Sequence, residues 1–394
     1  MTASPLSLRV FRPRRAAPAE AVRPTRAEIN LGHLRHNLRA LQRAAGPAAV
    51  YGVLKADAYG HGAPAVARTL ERAGIGGFAV ALLEEAIELR EAGIRAPLLV
   101  MGGYYGRAWG ELLRHRLTPV VFDPAQLDAL AAEARFAGAA PASVHLKIDT
   151  GMGRLGARPH ELAALVRAFA RNPEVRLEGL MTHLACADDP SNEATRAQLA
   201  RFGEVEAALA AAGLRPRVRH VANSAALLAG NAPGFEWVRP GVALFGVGPA
   251  AGLGAELRPV MRVRSEIVAL RRLEAGEALG YGWSWRAERP SLIATLPLGY
   301  ADGLPRCLSN QGALLVRGKR APIVGAVSMD MVMLDVTEHP GVAVGDEAVA
   351  LGAQRGPLGQ GEIGAAEIAA QAGTIAWEVL TGISRRVPRF FREP

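Results

Sequence analysis

The chain has 394 residues, half of them hydrophobic, with 21% charged and a formal net charge of +9; such a length suits two domains, or one large barrel with an appendage. Six arginines against one glutamate in residues 1–26, and four against one in residues 385–394, hold all but +1 of that excess, so the body is nearly neutral and a nucleic-acid-binding face is disfavoured. Cys186 and Cys307 lie far apart and form no CxxC pair, which supports neither a disulfide framework nor a zinc site, and no metal is expected.

Residues 1–24 contain arginine and proline but no apolar run of the about 7–15 residues that a secretory signal needs, and no run elsewhere reaches membrane length. A cytoplasmic protein with a basic, disordered N-terminal tail is expected. From residue 25 onward short apolar runs recur at 49–54, 78–82, 97–101, 118–122, 143–148, 177–182, 218–222 and 236–238. Segments of helical period separate them, among them "APAVARTLERAG", "LLEEAIELREAG", "PAQLDALAAEARFAG", "PHELAALVRAFARN" and "EATRAQLARFGEVEAALAAAG". Several stop at glycine, as at Gly74, Gly93 and Gly213, the signal of a left-handed C-cap. Eight strands separated by helices predict a (β/α)8 barrel of the TIM type over residues 25–254, with a doubly wound open sheet as the structural rival. After "GPAAGLG" the pattern changes. "MRVRSEIVALRRL", "SLIATLPLGY", "GALLVRGKRAPIVGAV", "MVMLDVT" and "DEAVALG" alternate or are β-branched, so residues 255–394 read as a mainly β C-terminal domain closed by a helical patch at about 364–382.

In a (β/α)8 barrel the active site lies at the C-terminal ends of the strands, and several chemically able residues fall there. Lys55 ends strand one, the "DTGMGR" turn from Asp149 to Arg154 follows strand five, His183 ends strand six, Asn223 and Ser224 follow strand seven, and Arg239 and Gly241 follow strand eight. A lysine at a partly desolvated mouth loses basicity, and its neutral amine can condense with an aldehyde. Pyridoxal 5'-phosphate (PLP) is the aldehyde cofactor that fits, because the loops after strands seven and eight commonly bind phosphate. There Ser224 offers a hydroxyl, and glycine lets the amides near Gly241 and Val242 approach closely.

The stretches "AVYGVLKADAYGHGA", "HLKIDTGMGRLG", "MTHLACADD", "VANSAALL", "VRPGVALFG", "GYG" at 280–282, "PLGYADGLPR" and "VSMDMVMLDV" resemble, in order, the motifs of the alanine racemase family of fold-type III PLP enzymes. The resemblance implies interconversion of L- and D-alanine by two bases, supplying D-alanine for peptidoglycan. Lys55 would hold PLP and serve one face of the substrate, while Tyr281 would serve the other from the second domain of a partner subunit, making a homodimer with shared sites. Arg154 would meet the cofactor's phenolic oxygen and the substrate, and Arg239 its pyridine nitrogen, with His183 bridging Arg239 and Tyr281. Tyr59, Asn223, Ser224, Gly241 and Val242 would surround the phosphate. Lys147 matches a lysine that is carbamylated in many members, and Tyr300, Met329 and Asp330 would shape the substrate entrance. Trp377 stands where many members place a phosphate-contacting tyrosine, so one hydroxyl contact is missing.

Three other readings use the same fold. A broad-specificity racemase usually carries a secretory signal and paired cysteines, and a basic-amino-acid decarboxylase is expected to place an acid, not Arg239, at the pyridine nitrogen. A non-catalytic PLP carrier needs no second domain delivering Tyr281.

Overall fold

The computed structural model describes residues 22–102, 108–138, 141–189, 191–231, 234–250 and 252–393; most of the basic N-terminal segment, residues 1–21, lies outside the described residues. Eight parallel strands form at all eight expected runs: Ala49–Val53, Gly77–Val80, Leu98–Val100, Thr118–Val121, Ala142–Lys147, Val175–Met181, Val218–His220 and Trp237–Val238. Their hydrogen-bonded order is seven, six, five, four, three, two, one, eight. Just past the ends of strands seven and eight, the Arg239 N–H donates to the Ala222 carbonyl at 2.9 Å, so the sheet curls on itself as a barrel and the open-sheet rival falls away. Most strand residues are buried, as a parallel sheet covered on its outer face requires.

The helices obey the signals that announced them. Helix Pro124–Phe136 starts at a proline behind Asp123, whose Oδ1 accepts the Ala125 N–H at 2.7 Å, and Gln126 returns to the Phe122 and Asp123 amides. Helix Ala63–Arg72 buries Val66, Ala67 and Leu70 on one stripe and is followed by Gly74 at φ +82°.

The chain divides into two compact units. One holds residues 29–262 with 363–382 and 391–394; the other holds 263–362 and 383–390 together with the segment up to Glu28. The helical patch is two helices, Ala365–Ala372 and Ala376–Gly382. It belongs to the barrel unit, because Ala376–Gly382 packs against the turn that carries Lys55. In the β unit Lys319–Pro322, Ala313–Val316, Glu347–Gly356 and residues 263–266 pair antiparallel in that order, and Gly359–Ile363 also pairs with Glu347–Gly356. A three-stranded sheet pairs Ala269–Leu273, Ser291–Leu296 and Val332–Asp335. A small core of Leu273, Ala287, Ile293 and Val324, with Leu279, Trp285 and Met333 packed on it, fills this region. Arg23, near the end of the basic tail, is fixed: its guanidinium donates to both oxygens of buried Asp302, at 3.1 and 2.7 Å.

Candidate active site

Lys55 follows the first barrel strand and opens a left-handed turn. Ala56, Asp57, Ala58 and Tyr59 have φ of 54°, 55°, 55° and 52°, a conformation that costs a non-glycine residue about 1–2 kcal/mol. Local bonds offset the cost. The Asp57 carboxylate accepts the Ala63 N–H at 2.8 Å, the Asp57 carbonyl accepts the Gly62 N–H at 3.0 Å, and Ala58 and Gly60 donate back to Leu54 and Ala56 at 2.9 Å each. The turn aims Lys55 and Tyr59 into a cavity of about 440 Å³ at the C-terminal ends of the barrel strands.

That cavity gathers every site residue expected from the barrel unit: Lys55, Tyr59, Lys147, Arg154, His183, Asn223, Ser224, Arg239, Gly241, Val242 and Trp377. Tyr281, Tyr300, Met329 and Asp330 belong to the β unit. There Tyr300 and Ala301 donate to the carbonyls of Ser328 and Met329 at 3.0 Å each, which ties Tyr300 to Met329, and Arg386 holds Asp330 at 2.6 Å. Tyr281 opens the short 3-10 turn Tyr281–Trp283 and is 77% exposed.

Electrostatics around the cavity favour neutral nitrogen. Burial, and then the Arg154 charge, push the Lys55 ammonium below its ordinary range, against a counter-pull from Glu85. Lys147, 6% exposed, is pushed down to about 8 by burial and by Arg154 and Arg239. Its side chain has no hydrogen bond or ion pair among the described residues; nearby Asp149 instead accepts the Gly151 and Gly153 amides at 3.0 Å and shapes the "DTGMGR" loop. Burial, with Arg239 and Arg154, takes His183 down to about 3, so its ring is neutral at physiological pH.

Behind the mouth lies a polar chain that the sequence reading passed over. Arg239, 3% exposed, donates to the Nδ1 and the carbonyl of His220 at 2.7 Å each, and to the carbonyls of Thr182 at 2.9 Å and Val221 at 3.2 Å. Because a guanidinium only donates, His220 Nδ1 is the acceptor and its proton sits on Nε2. That proton points to His145 Nδ1 at 2.6 Å. Among the described residues the Arg239 guanidinium bonds to His220 and to strand-end carbonyls, and no hydrogen bond joins it to His183. Gly179 makes room for the His145 ring, since a Cβ there would lie 2.4 Å from Nδ1. One signal for His145 was available, because it lies two residues before Lys147 and so shares its inward face. Gln198 was equally silent in sequence. Its amide donates to the His183 carbonyl at 3.0 Å and accepts from the Ala185 N–H at 2.8 Å, fixing the loop after strand six.

Three neutral histidines give a test by pH. Burial and Arg239 hold His145 down at about 3 and His220 well below 6.5, alongside His183. Each is unprotonated in the folded chain at a pH where the unfolded chain already binds a proton, so stability is lost as pH falls through about 6.5. Three such groups give a slope of about 4 kcal/mol per pH unit once the unfolded histidines are charged. Calorimetric melts from pH 7.5 to 5 check this; a flat profile across that window contradicts it.

The cavity suits PLP on its own geometry. Ser224 Oγ accepts the Gly241 N–H at 2.9 Å and lies 3.4 Å from the Ala243 amide, in a pocket with the buried Tyr59 hydroxyl, which the apolar surroundings hold protonated. A Cβ on Gly241 would come within 2.4 Å of that hydroxyl, so only glycine lets the strand-eight loop approach Tyr59. An amine held below its ordinary basicity stands across the same cavity.

Comparison with known proteins gives the family. The family description "Alanine racemase, N-terminal domain" matches residues 29–249, and "Alanine racemase, C-terminal domain" matches residues 260–391. The alanine racemase of Sorangium cellulosum (strain So ce56) is 62% identical over 379 residues, covering 95% of this chain and 100% of that protein. That of Symbiobacterium thermophilum is 45% identical over 94% of this chain and 98% of its own length. The crystal structure of alanine racemase from D-cycloserine-producing Streptomyces lavendulae superposes with a TM-score of 0.88 at 37% identity, over 95% of this chain and 98% of that one. With both halves matched in order and its lysine, arginines and glycine-lined cradle around one cavity, the chain belongs to the alanine racemase family of PLP-dependent isomerases.

Proposed function

We propose that this alanine racemase exchanges the Cα proton of alanine through two bases, Lys55 on one face and Tyr281 on the other. The observation that carries the reading is the convergence, in one cavity, of a desolvated lysine amine with Arg154, Arg239 and the Ser224–Gly241–Tyr59 cradle. When bound, PLP draws electron density away from the substrate Cα and so acidifies its proton. Lys55 holds the cofactor and takes or returns that proton at Nζ, helped by surroundings that disfavour its ammonium. Tyr281 does the same at its phenolic oxygen on the opposite face, and the roles exchange with the direction of reaction. Arg239 would face the ring nitrogen of bound PLP; because a guanidinium does not give up its proton, it would leave that nitrogen unprotonated and the electron sink shallow, which would favour return of the proton to Cα.

Asn223, Ser224, Tyr59 and the amides of Gly241 and Val242 hold the phosphate, and Trp377, with one N–H and no hydroxyl, closes that side. Lys147, partly neutral near pH 8 and without an ion partner among the described residues, takes up carbon dioxide as a carbamate that orients Arg154. His183, neutral, supports Tyr281. Arg154, Tyr300, Met329 and Asp330 shape the substrate site. Tyr281, Trp283, Tyr300, Met329 and Met331 are large, apolar and exposed in the β unit, as side chains that a second copy covers would be, so the working form is a homodimer with shared sites. Among the described residues no helix is long and apolar enough to cross a membrane. The enzyme works in the cytoplasm on a small-molecule amino acid and supplies D-alanine for peptidoglycan.

The test is solvent deuterium incorporation at Cα with chiral analysis of product, using PLP-loaded protein and a panel of L-amino acids. Deuterated D-alanine should outpace every other product; exchange with no amino acid would move the reading to a PLP carrier. Tyr281→Phe should slow chemistry that starts from L-alanine by about 10²–10⁴-fold, the usual contribution of a positioned acid or base, while the absorbance of bound cofactor stays; full L-side activity would sink the two-base assignment. Gly241→Ala should displace the Tyr59 hydroxyl and weaken PLP retention about tenfold without loss of fold, as read by dialysis of loaded protein and by melting temperature.

A further inference from the structure

The turn that carries Lys55 is clasped from outside by one carboxylate. Glu85, in the first turn of helix Leu83–Glu91, accepts the Ala56 N–H at Oε1 (2.7 Å) and the Ala81 and Leu82 N–H groups at Oε2 (2.8 and 3.0 Å). Its two oxygens thus join the residue directly after Lys55 to the residues directly after barrel strand two. An N–H at the start of a helical turn has no partner within the turn, and here the turn is left-handed and costly to keep. The helix also contains Glu84 and Glu88, yet the carboxylate that reaches Ala56 is that of Glu85. Lys147, Arg154, His183, Asp188 and Arg239 are the other charged or titratable side chains lining the cavity with Lys55 and Tyr59. Of the groups acting on Lys55, Arg154 weakens its hold on a proton and Glu85 strengthens it.

We propose that Glu85 is a positioning residue for Lys55: its carboxylate locks the backbone at Ala56 to the end of the second strand, and so fixes where Nζ is presented and sets a negative charge beside it. The proposal rests on the reading that Lys55 is the residue that carries the cofactor. A glutamine at this position keeps the shape but has one accepting oxygen, so it can hold one side of the clasp and not both, and it carries no charge.

The experiment follows PLP uptake by the cofactor-stripped full-length chain against pH, with borohydride trapping and mass mapping of the modified residue. For Glu85→Gln the plateau rate of trapping at Lys55, where the amine is fully neutral, should fall about fivefold or more, and the midpoint of the pH profile should move to lower pH. The melting temperature should stay near that of the unsubstituted chain. Glu85→Asp keeps the charge but is too short for both arms, so it should lower the plateau and leave the midpoint in place. It also decides the matter if Glu85→Gln does not fold. Plateau and midpoint unchanged in Glu85→Gln, or an unchanged plateau in Glu85→Asp, overturns the proposal, as does a fall in melting temperature with no change in either readout at Lys55. If the unsubstituted chain is trapped at a residue other than Lys55, the cofactor assignment fails first, and that outcome is seen before any variant is compared.

Discussion

Lys55→Arg leaves the barrel folded and lowers turnover by at least about 10⁴-fold, the upper end of what one positioned acid–base group contributes, because on the proposed reading the same change also removes the nitrogen that would bond the cofactor. Arginine keeps the positive charge and a similar stem, so the left-handed turn from Ala56 to Tyr59 and its bonds to Asp57 and Leu54 have no reason to change. A guanidinium stays protonated and does not act as an amine nucleophile. Absorbance of bound PLP, borohydride trapping and racemisation rate should therefore fall together while the melting temperature holds. Retained trapping at another lysine, Lys147 above all, would show that the wrong cavity lysine had been assigned.

Arg239→Met is the substitution with the largest expected effect on stability. The guanidinium fills four acceptors, the Nδ1 and carbonyl of His220 and the carbonyls of Thr182 and Val221, at a site only 3% exposed. Burial weakens its hold on a proton, down to about 10, yet it stays charged at neutral pH. A methionine matches the volume but leaves those acceptors unpaired in a dry interior, at about 1–3 kcal/mol for each group that finds no water. Part of that loss is returned because a buried charge no longer has to be desolvated. The net expectation is about 3–5 kcal/mol, read as a lower denaturant midpoint at unchanged slope. The same change frees His220 to move its proton to Nδ1, so ring-nitrogen chemical shifts of His220 and His145 should report a tautomer switch. A midpoint within the scatter of the unsubstituted chain would show that water replaces the guanidinium.

Periodicity alone placed all eight barrel strands, because a buried parallel strand must be a short apolar run and its helix must carry a stripe and a stop. Lys55, Arg154, His183, Ser224, Arg239 and Gly241 were legible for the same reason: in this fold the strand's C-terminal end is the mouth, so position along the strand predicts position in the cavity. The partners of those residues were not legible. Whether Arg239 meets His183 or His220 depends on which side chains face inward at one level of the barrel, and a register shift between Val144 and His145 helps set that level. Glu85 reads in sequence as one of several acids on a helix, and only the folded turn shows it reaching Ala56. The helical patch at 364–382 follows a β region in sequence, yet Trp377 lines the barrel cavity. Local pattern is governed by burial, which each segment declares by its own residues; hydrogen-bond partnership is governed by the meeting of segments far apart in sequence, and only the tertiary structure decides it.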